Sequence, residues 1–126
     1  MSYHKFKIDL LRVEVMVMFC LDYKDADDRC EWFLNCELAE PSEGNAGYAV
    51  ARYRRAFIWI GPECKRAQVF HECFHATFQI LKQLNCNAQD EELNAHLNEF
   101  LCERVLVLWE NNNKKCSNVR ARKGKK

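Results

Sequence analysis

Short runs of apolar residues in the first half of the chain predict a small β-sheet. Residues 12–20 alternate apolar and polar positions before becoming wholly apolar, which is typical of a strand. The alternation places three valines on one face of this strand: Val13, Val15 and Val17. After a loop at 41–47 that is rich in turn-forming residues, residues 48–53 and 57–60 predict two further strands joined by a short basic turn.

Three segments carry apolar residues at helical spacing. Residues 25–39 begin with several acids, which favour the positive end of a helix dipole, and predict the first helix. Residues 63–84 follow Gly61-Pro62 and predict a second helix. The stripe expected to face the core comprises Phe70, Phe74, Phe78, Leu81 and Leu84, joined by Cys73 and Thr77. Residues 88–110 predict a third helix, with a stripe made of Leu93, Leu97, Phe100, Leu101, Val105 and Leu108.

This order of elements predicts an α+β fold with a small antiparallel sheet. The second and third helices are expected to pack together on one face of that sheet. A chain of 126 residues with 48% apolar and 29% charged residues is typical of one globular domain. We expect residues 1–112 to form this domain and residues 113–126 to form a basic, disordered tail.

Charge is unevenly distributed along the chain. The formal net charge is +1, yet residues 114–126 contain seven Lys or Arg and no acid, which leaves about −6 for the preceding residues. Two interpretations of the basic tail are open. It is either a solubilising terminus without structure or an arm that makes weak contact with nucleic acid.

The cysteines and the first twenty residues indicate a cytoplasmic protein. The chain has eight cysteines without a CxxC pair, and the apolar run near its start is interrupted by Arg12 and Glu14. Without an export signal, reduced thiols are expected rather than disulfides. No apolar stretch has the length of a membrane span, so no membrane contact is predicted.

Residues 71–75 read His-Glu-Cys-Phe-His, which is an H-E-x-x-H pattern inside the second predicted helix. Because residues four apart share a helix face, His71 and His75 can bind one metal ion, most naturally Zn²⁺. Glu72 lies close enough to accept a proton from water at that ion. The pattern therefore predicts metal-assisted hydrolysis, most often of a peptide bond. The alternative is a solvated helix face without a metal.

A catalytic zinc ion usually has three protein ligands. The third is expected from the start of the following helix, because a tight turn at 85–87 folds that helix back. This segment offers four side chains able to bind a metal: Asp90, Glu91, Glu92 and His96. His96 has three interpretations, namely a ligand in place of Glu92, a group that stabilises an oxyanion, or a supporting or surface residue.

The motif and the helix that follows it resemble a known family. HECFH followed by EELNAHL is similar to the small gluzincin metallopeptidases, and more narrowly to short bacteriophage peptidases and the ImmA/IrrE-like group. In that pattern the later helix reads E-x-x-A, which Glu92-Leu93-Asn94-Ala95 matches. The resemblance covers about residues 48–108. It implies a zincin-like fold, Zn²⁺ bound by His71, His75 and Glu92, Glu72 as general base, and a peptide or protein substrate.

Two other functions fit the same residues. A hydrolase of non-peptide substrates would use the same ligands, because a zinc ion activates water whatever the electrophile. A non-enzymatic zinc-containing protein whose basic tail contacts nucleic acid is the second alternative. Four protein ligands around the metal, or salt-dependent DNA binding lost on deleting 114–126, would favour it.

Overall fold

The structure is a computed structural model that describes residues 2–19, 22–35, 46–86 and 90–123, with side chains as far as Lys115. Four strands and three helices follow one another along these segments. They are β1 (Ser2–Ile8), β2 (Val13–Phe19), α1 (Tyr23–Leu34), β3 (Gly47–Arg52), β4 (Arg55–Ile60), α2 (Arg66–Gln83) and α3 (Glu91–Lys123). The α+β class is therefore confirmed. No helix of the described segments has both the length and the apolar character to cross a membrane.

The four strands form one mixed sheet in the order β1-β2-β4-β3. The β1–β2 and β3–β4 pairs are antiparallel, whereas β2 and β4 run parallel. The prediction of an antiparallel sheet was wrong at this central pairing, because α1 carries the chain across the sheet between β2 and the β3–β4 hairpin. Strand β1 was not predicted, since its alternate residues Tyr3, Lys5 and Lys7 are exposed and its sequence lacks an apolar run.

The sheet separates two apolar layers. Val13, Val15 and Val17 share one face, as predicted, and pack with α2 and α3. On the other face, Met16 and Met18 pack against α1. Helices therefore cover both faces of the sheet, with α2 and α3 together on one of them. Helix α1 ends earlier than predicted, because Asn35 adopts the left-handed conformation with φ 55°. Residues 36–39 of the predicted helix lie outside the described residues.

The side of α2 that faces the core differs in part from the prediction: Cys73, Thr77 and Leu81 are buried as expected, whereas the phenylalanines are not. The buried residues are mostly small or aliphatic: Val69, Cys73, Ala76, Thr77, Ile80 and Leu81. Phe70, Phe74 and Phe78, which were predicted to be core residues, are 40%, 50% and 41% exposed. Both stripes satisfy the helical period. The structure buries the smaller side chains because α2 packs closely against both the sheet and α3.

Helix α3 confirms its predicted apolar stripe but not its predicted end. Leu97, Leu101 and Val105 are buried, and the other predicted members of the stripe are partly buried against the same cluster. The helix continues to Lys123. The backbone is therefore helical over 113–123, where a disordered tail was expected, and residues 124–126 of that prediction lie outside the described residues.

Candidate metal-binding and catalytic site

The two histidines of the H-E-x-x-H motif meet on the open face of α2. His71 and His75 are exposed, and their Nε2 atoms lie 3.0 Å apart. The ring centroids are 4.5 Å apart with the planes at 86°. This distance allows a hydrogen bond between the two rings through one Nε2–H, and the tautomer decides which histidine is the donor.

This arrangement suits a metal ion. With zinc–nitrogen bonds of about 2.0–2.1 Å and tetrahedral angles, two ligand nitrogens lie about 3.3 Å apart. The observed 3.0 Å separation of the Nε2 atoms needs a change of only a few tenths of an ångström. The two imidazoles therefore fit the first two ligand positions, and the ion would replace the proton of the hydrogen bond between them.

Glu72 lies between the motif histidines and the sheet. It is 8% exposed and is the only buried carboxylate among the described residues. Gly47 of β3 lies beside it: an added Cβ at this glycine would lie 3.5 Å from Glu72 Cγ and 2.6 Å from the carbonyl oxygen of Trp59. Gly47 is thus required by the close approach of β4, and its missing side chain also leaves room for Glu72.

Burial changes the acid–base properties of this region. It raises the pKa of Glu72, an effect that the adjacent His71 partly opposes. Burial likewise raises the pKa of the Cys64 thiol to about 11, with a further increase from the nearby Glu72 carboxylate. The pKa of Cys73 is also raised, mainly by burial. Both thiols are therefore neutral at pH 7, which favours packing over metal binding for Cys73.

Helix α2 also caps the outer edge of β3. Gln79 Nε2 donates to the carbonyl oxygen of Ala49 at 2.9 Å, and its Oε1 accepts from the amide of Ala51 at 2.9 Å. Gln83 Oε1 accepts from the amide of Tyr53 at 3.1 Å. Sequence reasoning missed both glutamines, because a polar side chain four or eight residues beyond His75 carries no signal of what it faces.

Glu92 is at the start of α3 and points into solvent. Its side chain is 90% exposed, and its Oε2 lies 3.5 Å from Nε2 of His96, which is itself 75% exposed. In the first turn of α3, its negative charge stabilises the positive end of the helix dipole. Its nearest basic partner is therefore His96 rather than the motif pair.

The packing of α2 against α3 explains why Glu92 is remote from the motif. Arg66 pairs with Glu110 at 3.0 Å, and Thr77 Oγ1 lies 3.4 Å from Asn98 Oδ1. The helices are antiparallel, so the level of His75 on α2 corresponds to about residue 100 on α3. Glu92 is eight residues before that level, which is about 12 Å along the helix axis.

The direction of the side chains separates the motif from α3 as well. Cys73 points toward α3, where its thiol contacts that of Cys102. Each residue turns the helix by about 100°, so His71 and His75 point about 160–200° away from Cys73. Phe74 lies between these directions and contacts His75, with the centroids of the two rings 6.3 Å apart. The exposed acids of α3 at this level, Glu99 and Glu103, are therefore on a helix that packs on the side of α2 opposite the histidines.

The structure thus brings together His71, His75 and Glu72 and does not bring Glu92 to them. Within the described segments, no three residues drawn from His, Cys, Asp and Glu form a group that could hold a metal ion. The expected three-ligand set is not assembled in this conformation, because α3 packs on the side of α2 opposite the histidines.

No family model, no curated protein and no solved structure matches this chain. The interpretation of the site therefore depends on the motif residues and their geometry.

Proposed function

We propose that the chain is a zinc-dependent hydrolase of peptide bonds with a zincin-like arrangement of helix and sheet. His71 and His75 hold the metal ion, and Glu72 is the general base. The observation that carries the proposal is the 3.0 Å approach of the two Nε2 atoms beside the one buried carboxylate of the described segments. A bound zinc ion supplies an activated water and polarises a carbonyl group.

The environment of Glu72 supports its role as the base. A general base works best when its pKa lies near the working pH, and burial raises the pKa of Glu72 toward that range. Because Glu72 lies in the same helical turn as both histidines, its carboxylate would be close to a water on an ion that they hold. The proton that Glu72 accepts would then pass to the leaving amine, which restores the carboxylate for the next cycle.

The uncapped part of β3 is the proposed binding edge for substrate. The other edge of the sheet is β1, which is separated from β4 by β2 and is therefore farther from α2. Gln79 and Gln83 occupy outward backbone groups of β3 from Ala49 onward. The outward groups of Gly47 and the amide of Ala49 are not taken by these glutamines. An extended peptide would pair there and present a carbonyl group beside Glu72.

Metal analysis of the purified protein tests the ligand pair. We expect one zinc per chain in the wild type and none in His75→Ala, because a single imidazole cannot retain the ion. His96→Ala is the matched control, since it removes an exposed histidine outside the pair, and it should keep full zinc content. Equal zinc in all three proteins would overturn the proposal.

Turnover in Glu72→Gln tests the base. The variant should keep its zinc and lose at least about 10²-fold in peptide cleavage, because the amide cannot accept the proton. Loss of zinc in this variant would show that Glu72 supports the metal site structurally. Cleavage of ester or sugar-linked substrates but not peptides would favour the non-peptide hydrolase instead.

Glu92 is the third ligand that the family resemblance implies, and the start of α3 would have to move toward α2 for it to bind. The zinc affinities of Glu92→Gln and Glu91→Gln decide this point. Glu91 is the matched control, because both acids are exposed neighbours in the same turn. If Glu92 binds the ion, its variant alone loses zinc affinity, by about 10-fold or more. Equal affinities would assign the third position to another group.

A second candidate function is a non-enzymatic binding protein that contacts nucleic acid through its basic end. The observation that favours it is the continuation of α3 to Lys123, which makes the basic segment part of a helix. A basic helix is a common element for contacting phosphates. Zinc content without any hydrolysis, together with DNA affinity that falls on replacing Lys114 and Lys115 by Gln, would support this candidate.

A further inference from the structure

An open groove lies at the end of the sheet opposite the histidine pair. It has a volume of about 1000 Å³ and is formed where β1 ends, where β2 and β4 begin, and where α1 and α2 terminate. Its lining includes five basic side chains contributed by the β1–β2 and β3–β4 hairpins: Lys7, Arg12, Arg52, Arg54 and Arg55. We refer to this surface as the cationic groove.

The cationic groove keeps a positive charge after its own acids are counted. Asp9 and Glu14 are the two carboxylates in the lining, so the five cations leave a formal excess of +3. The carboxyl ends of α1 and α2 also face the groove and subtract roughly one charge in total. Lys7, Arg12, Arg54 and Arg55 form no ion pair with any acid of the described segments.

Two of the arginines are held in place by backbone contacts. Arg54 donates through Nη1 to the carbonyl oxygen of Leu11 at 2.7 Å, and Arg55 donates through Nη1 to that of Phe33 at 2.8 Å. A guanidinium has five donors, so most of its donors stay available for an anion. These contacts hold the cations in fixed positions around the opening.

The backbone of the cationic groove has an unusual conformation. In the described segments, the non-glycine residues with positive φ are Arg12, Asn35, Tyr53 and Asn85, and all four line this groove. The left-handed conformation is ordinary for Asn at a helix end but costs energy for Arg and Tyr. At Arg12 and Tyr53 it directs a basic and an aromatic side chain outward at the tips of two adjacent hairpins.

The groove continues along the exposed face of β1. Lys7 belongs to both surfaces, and Lys5 follows two residues away, about 7 Å along the strand. Lys5 Nζ lies 5.9 Å from the ring of Trp32, which is 63% exposed. Trp32 also lines a smaller pocket together with Asp25, Asp28 and Arg29.

We propose that the cationic groove binds single-stranded nucleic acid, with phosphates on Lys7, Arg12 and Arg54 and a base stacked on Tyr53. Tyr53 is 69% exposed, and the guanidinium of Arg52 lies 5.1 Å from its ring. Exposed aromatic rings among cations are typical of surfaces that bind unpaired bases, because a ring face can stack only on a base outside a duplex. The site is independent of the metal and of the proposed hydrolase activity.

Fluorescence anisotropy with a labelled 12-nucleotide dT strand, in the presence of a chelator, tests the proposal on the full chain. The variant Lys7→Gln/Arg12→Asn should bind about 10-fold more weakly, and the slope of log Kd against log salt should fall by about 1.4, because each phosphate contact to a single strand contributes about 0.7. Asn is chosen at position 12 because it tolerates positive φ. Lys24→Gln/Arg104→Gln removes the same charge from exposed positions elsewhere and should change Kd less than 2-fold.

Tyr53→Asn separates stacking from charge. It keeps the turn conformation and the net charge, and it should weaken dT binding at least about 5-fold. Photo-crosslinking of a 5-iodouracil strand to the wild-type protein should label Tyr53, and this measurement needs no variant to fold. Equal losses in the groove and control double variants would overturn the proposal. So would equal competition by a duplex or by poly-glutamate, since either result would indicate a general polyanion surface.

Discussion

The two sides of α2 contain equally apolar sequences but have different environments. One side carries Val69, Ala76 and Ile80 and is buried against the sheet and α3. The other carries Phe74 beside the paired histidines, and this phenylalanine is half exposed. The larger side chains are therefore on the open side. The difference shows that close packing between elements selected the small residues for the core, while the aromatic residues flank the candidate site.

The sharpest test of this comparison replaces one residue on each side. Ile80→Ala should lower the free energy of unfolding by about 2–5 kcal/mol, because it leaves a cavity in the core. Phe74→Ala removes a larger side chain but should cost less than about 1 kcal/mol, because much of it is already in solvent. Urea denaturation measures both. A loss in Phe74→Ala as large as that in Ile80→Ala would show that the open side is covered in solution.

The side of α2 that faces β3 provides the next prediction. Gln79→Ala removes the acceptor for Ala51 N–H and the donor for the carbonyl oxygen of Ala49. We expect a loss of about 1–3 kcal/mol in the free energy of unfolding and faster hydrogen exchange at the Ala51 amide. Gln83→Ala is the control, since it removes one contact at an exposed site and should cost less. Unchanged exchange at Ala51 would contradict the capping role.

The buried carboxylate of Glu72, between the two sides of α2, should make the free energy of unfolding depend on pH. Burial raises the pKa of Glu72 in the folded state above its unfolded value. Below the pKa that Glu72 has in the unfolded chain, the acid is protonated in both states and the free energy of unfolding is not reduced. The free energy of unfolding then falls as pH rises through the pKa of Glu72 in the folded state. In chelator, Glu72→Gln should therefore be more stable than wild type at pH 8, by about 1 kcal/mol, and equal to it near pH 3. Glu91→Gln, with an exposed acid, should show no such difference.

The smallest effect is expected where α2 meets the far end of α3. Arg66 and Glu110 pair at 3.0 Å with side chains 60% and 44% exposed. A double-mutant cycle with Arg66→Ala and Glu110→Ala should give a coupling of no more than about 0.5 kcal/mol, and it should decrease in high salt. A coupling above about 1 kcal/mol would contradict this expectation. It would mean that the pair is shielded from solvent and contributes more to the packing of α3 on α2 than its exposure indicates.

Much of the fold followed from local patterns. The strand with Val13, Val15 and Val17 on one face and the stripe of Leu97, Leu101 and Val105 were predicted correctly, because period-2 and period-3.6 patterns determine those faces directly. The β1 strand was missed because its charged alternate residues resemble a solvated terminus. The parallel pairing of β2 with β4 was missed because it depends on how the chain crosses the sheet.

In the candidate site, too, some features follow from local sequence and others depend on how the helices pack. His71, Glu72 and His75 lie within five residues of one helix, so their proximity follows from helix geometry alone. The third ligand would come from a different element, and its position depends on how two helices pack. Glu92 was chosen from a sequence match, whereas the register of α2 on α3 and the exposed position of Glu92 leave it outside the pair.

The sequence by itself determined the elements that repeat at a fixed period and the three motif residues on one turn of helix. The tertiary structure decided which stripe of α2 is buried, which helix faces the histidines and which cations meet in the groove. Local periodicity is set by the backbone, which each residue carries with it. Contacts between distant segments depend instead on shape and close packing over the whole chain, and no single segment encodes them.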